Sequence, residues 1–66
     1  GLIVYPNPFK SSITIIGDVS KFQISDLSGR IVGRTNSGFL NGEKLKSGVY
    51  FLIARGYKPV KLVKIR

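Results

Sequence analysis

Cysteine and histidine are both absent from this 66-residue chain, as are methionine and tryptophan. Without thiols no disulfide framework can staple the fold, and without imidazole the commonest general base and zinc ligand is missing. Carboxylates are nearly missing too: Asp18, Asp26 and Glu43 are the only three. Paired-carboxylate hydrolysis, a Ser-His-Asp triad or a transition-metal centre has almost nothing to be built from. The expectation is a protein that is not an enzyme, with no catalytic residue, metal or cofactor. No apolar run approaches the ~18 residues that span a bilayer, so no transmembrane segment is expected, and no signal peptide precedes the fold. The absent initiator Met is read as the mark of a processed chain or of a piece of a longer exported protein. Helix formers are scarce as well, with Ala54, Glu43 and Gln23 the only members of their types.

What remains is apolar and basic. A chain this short buries only about 60% of its unfolded surface, and ordering it costs roughly 1.5 kcal/mol per residue, so residues 1–66 allow one lean domain. Leu, Ile, Val and Phe make up 24 of the 66 residues, far above the composition of disordered chains. The net charge of +8 is unevenly placed. Through Glu43, Lys10, Lys21, Arg30 and Arg34 nearly balance the three acids; beyond it Lys44, Lys46, Arg55, Lys58, Lys61, Lys64 and Arg66 meet no acid at all. If that charge has a use beyond solubility, it faces an acidic partner or an anionic surface.

Fourteen Val and Ile and seven aromatics favour strands, and glycines break the apolar runs at the spacing of sandwich turns. Leu2 to Tyr5 reads as a strand stopped by Pro6-Asn7-Pro8, because proline lacks the backbone donor a ladder needs. Ile13 to Ile16 is a second. Lys21 to Ser25 alternates, placing Phe22 and Ile24 in the core and the polar residues in water. Asp26-Leu27-Ser28-Gly29-Arg30 is then a hairpin turn in which Gly29 takes positive φ and Asp26 bonds the turn backbone. Arg30 to Arg34 returns as a fourth strand, and Asn36-Ser37-Gly38 turns the chain again. Asn41-Gly42 is the strongest two-residue hairpin signal, while residues 35–44 stay open between strand and loop. Val49 to Arg55, apolar on both faces, is the pattern of a central strand buried on both sides, so Val49, Phe51 and Ile53 join the expected core. Gly48 supplies a bend or bulge on the way into it. Gly56-Tyr57-Lys58-Pro59 is the last turn, and Val60 to Arg66 a final basic edge strand. The fold class is all-β: a small immunoglobulin-like β-sandwich of six or seven antiparallel strands.

Four motifs occur in order: Tyr5-Pro6-Asn7-Pro8, Ile24-Ser25-Asp26-Leu27-Ser28-Gly29-Arg30-Ile31-Val32, Leu45-Lys46-Ser47-Gly48-Val49-Tyr50-Phe51-Leu52 and Lys61-Leu62-Val63-Lys64. Together they resemble the C-terminal sorting domain of type IX secretion cargo. The resemblance implies a recognition module at the end of an exported protein, carried through the periplasm and across the outer membrane to the cell surface or medium. Its implied partners are outer-membrane secretion and shuttle proteins, a sortase-like protease and anionic lipopolysaccharide. Phe9 after Tyr5-Pro6-Asn7-Pro8, with the Asp-Leu-x-Gly-Arg hairpin, is also similar to immunoglobulin-like repeats of the flagellar hook-capping type. A structural or adhesive module of that or a carbohydrate-binding kind is the alternative. The stretch from Val32 to Leu45 is short for the sorting family.

Most motif residues have structural readings. Tyr5 caps the core at a rigid turn formed by Pro6, Asn7 and Pro8; Asp26, Leu27 and Gly29 make the hairpin; Leu45, Gly48, Val49 and Tyr50 lead into the central strand. Lys58, Lys61, Lys64 and Arg66 are the candidate recognition residues, although lysines along an edge strand also prevent edge-to-edge aggregation. Nucleic acid is not the expected partner, since the aromatics Tyr50, Phe51 and Tyr57 lie in or beside the apolar strand and not among the last lysines.

Overall fold

The computed structural model describes residues 2–18 and 20–66. Its elements are all strands: β1 (Ile3–Tyr5), β2 (Ser12–Ile16), β3 (Phe22–Ser25), β4 (Ile31–Thr35), β5 (Phe39–Asn41), β6 (Gly48–Ala54) and β7 (Val60–Lys64). The named strands pair antiparallel, in a three-stranded sheet β1-β2-β5 and a four-stranded sheet β4-β3-β6-β7. An immunoglobulin constant-type sandwich keeps its fourth strand with the first, second and fifth. Here the fourth lies beside the third, because the tight Asp26–Arg30 hairpin leaves no length to cross between sheets.

The core forms where the two inner faces meet. Ile13 and Ile15 from β2 and Leu40 from β5 lie against Phe22 and Ile24 from β3, Tyr50, Leu52 and Ala54 from β6, and Leu62 from β7. Phe9, between β1 and β2, is 1% exposed and completes it. Two expectations hold: the hairpin turns at Asp26–Arg30 and β6 is central; residues 35–44, left open between strand and loop by the sequence, contain the strand β5.

Others need correction. Val49, Phe51 and Ile53 point away from the core and are only half-buried, while Tyr50, Leu52 and Ala54 point in. An unbroken apolar run offers no polar face to fix its phase, so long-range pairing of Leu52 with Ile24 and Tyr50 with Leu62 sets it. Asn41-Gly42 does not close a hairpin. β5 pairs with β2 in one sheet and β6 lies in the other, so this segment crosses between them. Gly42 donates its N–H to Ser11 O at 2.7 Å and lies under the Phe9 ring, where a Cβ would stand 2.7 Å from Phe9 Cε2. Ser25, expected in water, is buried at the register shift between Ile24 and Ser25.

Candidate recognition surface

Lys61 and Lys64 are three positions apart, and a strand alternates every residue, so the two project from opposite faces of β7. Lys61 stands outward beside Phe51. Lys64 turns inward and is 7% exposed, with its Nζ 6.0 Å from the centroid of the Phe9 ring and donating to Ile65 O at 3.1 Å. A cation over an aromatic face is attracted by the ring quadrupole. Lys64 therefore does not belong to an exposed basic edge. Lys58 in the preceding turn and Arg66 beyond the strand are exposed, as is Lys61. The four expected recognition residues do not form one face.

β7 is also not an open edge. Asn7 donates its Nδ2 to Lys61 O at 2.8 Å and accepts from Val63 N at 3.1 Å, so its side-chain amide takes the place of a backbone unit in a ladder. Phe9 continues it, donating its N–H to Val63 O and accepting from Ile65 N, both at 2.8 Å, as a parallel bridge to Lys64. Tyr5-Pro6-Asn7-Pro8, with both prolyl bonds cis, thus holds the first strand to the last. Pro6 and Pro8 cannot donate to a ladder; Asn7 and Phe9 between and after them make the contacts. Tyr5 is 49% exposed and does not cap the core; Phe9 does. The core position of Phe9 and the bidentate use of Asn7 are not legible locally, because their partners lie at the other end of the chain. The apolar residue following a proline-bounded turn was the available signal.

The other motifs order the sandwich. Tyr50 donates its hydroxyl to Lys46 O at 2.7 Å, the back-bond of a tyrosine corner at the start of a sixth strand. This fixes Leu45, half-buried against the core, and Gly48, whose φ of 153° opens β6. In the hairpin, Asp26 Oδ1 accepts from Ser28 Oγ at 2.6 Å, Ser28 N at 2.9 Å and Arg30 N at 3.1 Å. Gly29 has φ 89°, and Leu27 projects into solvent at the tip. The Ser28 hydroxyl, helped by backbone N–H groups and Arg30, holds the Asp26 carboxyl below its ordinary value. The Tyr57 hydroxyl donates to Asp18, lowering that carboxyl and raising the phenol.

Among the described residues no group of His, Cys, Asp or Glu is placed to hold a metal. The arrangement offers hydrogen-bonded strand edges, apolar outer faces and exposed cations, which are features of a binding module. A family model described as the secretion system C-terminal sorting domain matches residues 3–65. The chain belongs to this family. No curated protein and no solved structure matches it. The sorting domain has a type IX secretion role, directing export to secretion or cell-surface attachment through the type IX machinery.

Proposed function

We propose that residues 1–66 are a single non-catalytic recognition module that sends an attached cargo through the periplasm and across the outer membrane, in contact with outer-membrane secretion and shuttle proteins. A sortase-like protease and anionic lipopolysaccharide are the partners of the later steps. The observation that carries this reading is a family match spanning almost the whole chain. Recognition falls to Lys58, Lys61 and Arg66 at the end of the chain, while Lys64 serves by seating β7 on Phe9. Tyr5, Pro6, Asn7, Pro8, Asp26, Leu27, Gly29, Leu45, Gly48, Val49 and Tyr50 shape the domain that displays them.

Fusion of the domain to the C-terminus of a signal-bearing reporter, in a cell with type IX machinery, tests the reading. The reporter is expected at the surface or in the medium, and Lys58→Glu, Lys61→Glu and Arg66→Glu together are expected to reduce export without unfolding the domain. Single exposed charges contribute only ~0.2–1 kcal/mol, so no one of them is decisive. A parent fusion held in the periplasm sinks the sorting role in favour of a structural or adhesive module.

A further inference from the structure

Val49, Phe51 and Ile53 leave β6 on the side away from the core, and among the described residues no second layer covers them. A strand apolar on both faces is suited to cover on both, yet here one cover is missing. Val63 stands beside Val49, Lys61 beside Phe51, and Gln23 beside Ile53 with Arg34 beyond it. Lys21, Gln23, Arg34 and Asn36 line an open groove of about 360 Å³ on that flank. The apolar row thus runs between Lys61 on one side and Lys21 and Arg34 on the other, and no ion pair engages these cations among the described residues.

Carboxylates are all elsewhere. Asp26 is held at the hairpin tip by Ser28 and Arg30, Asp18 accepts from Tyr57, and Glu43 follows β5 of the other sheet. The opposite outer face, with Ile3, Tyr5, Ile16 and Phe39 exposed, is apolar too, but its paired rows contain no charge to select a partner. An apolar centre inside a rim of one sign is the anatomy of a specific protein interface.

The geometry points to the outer face of β4-β3-β6-β7 as the docking surface for an acidic protein partner, whose apolar residues cover Val49, Phe51 and Ile53 while its carboxylates meet Lys21, Arg34 and Lys61. That this partner belongs to the export machinery rests on the proposed sorting function. The covering completes the layer that β6 lacks, and the like-signed rim rejects basic surfaces.

The test compares two triple reversals in the reporter fusion: Lys21→Glu, Arg34→Glu and Lys61→Glu on this face, against Lys10→Glu, Lys44→Glu and Lys46→Glu away from it. Both change net charge equally. The purified fusion is titrated with a peptide of alternating glutamate pairs and single leucines, read by backbone amide shifts, and export is measured alongside. Shifts centred on β6 and the Lys21–Arg34 groove are expected, with affinity and export falling roughly tenfold or more for the face reversal and about twofold or less for the control. Binding should also weaken between roughly 0.01 M and roughly 1 M salt, as the screening length shrinks from about 30 to about 3 Å. If circular dichroism shows the Glu variant unfolded, the same positions as Gln give the comparison. Equal losses in both triples, shifts centred elsewhere or no binding overturn the surface. A parent fusion that is not exported overturns the sorting function alone, and the peptide titration still decides the face.

Discussion

Asn7 is exposed, yet its amide joins the chain to residues 54 and 56 positions away. Exposed hydrogen bonds contribute about 1 kcal/mol each. Asn7→Ala is therefore expected to lose about 1–2 kcal/mol and to speed amide exchange at Val63 before the core amides; unchanged exchange there would mean the clasp holds nothing. Asn7→Asp keeps the acceptor for Val63 N but sets a second acceptor against Lys61 O, and should be no better than Ala. Lys64 teaches the same lesson from the other strand: a lysine in a basic tail is read as solvated until Phe9, from the far end of the sequence, is placed beneath it. Asp26 was legible because its partners are local. Its pKa is lowered, chiefly by Ser28, so the turn is fully supported above the ordinary carboxylate value of 3.8 and loses support as pH falls through the lower folded value. Melting temperatures measured down an acid series should fall less for Asp26→Asn than for the parent, with Asp18 responsible for part of the remaining fall.

At the scale of elements, β3 and β6 show when periodicity is enough. Phe22 and Ile24 alternate with polar neighbours, so the sequence alone places one face of β3 in the core, up to the shift at Ser25. β6 has no such contrast: the sequence predicts burial on both faces with Val49, Phe51 and Ile53 in the core, while Tyr50, Leu52 and Ala54 are the residues that point in. Leu52→Ala, at a site with no exposure, is expected to cost about 2–5 kcal/mol, and half-buried Phe51→Ala clearly less. Denaturant unfolding of the two variants checks the order; a larger loss at Phe51 would overturn this phase. The β3–β4 hairpin depends on Gly29 for conformation and not for space, since no atom lies within 4 Å of an added Cβ. Gly29→Val should still destabilise by more than about 1 kcal/mol because a β-branched residue resists φ near 89°, whereas Gly29→Asn should recover part of the loss. β7 was found by pattern, but the three-residue spacing of its lysines already placed them on opposite faces.

Over the whole molecule, the excess of cations after Glu43 does not condense into one basic strand. It is dealt out to an exposed turn, an outer face, an inner aromatic contact and the chain end. Scarcity of helix formers, a rich supply of Val and Ile, punctuating glycines and three acids against eleven cations are sufficient to determine an all-β domain, a tight Asp26–Arg30 hairpin and an unbalanced positive charge, while the four motifs in order carry the family resemblance. These depend on composition and on contacts a few residues apart. The tertiary structure alone decided that Tyr5–Phe9 closes the edge of β7, that Asn41-Gly42 crosses between sheets, which face of β6 is inward and which lysine is buried. Each of those outcomes turns on partners brought together from distant parts of the chain, and a side-chain period of two has no preference between faces that are equally apolar.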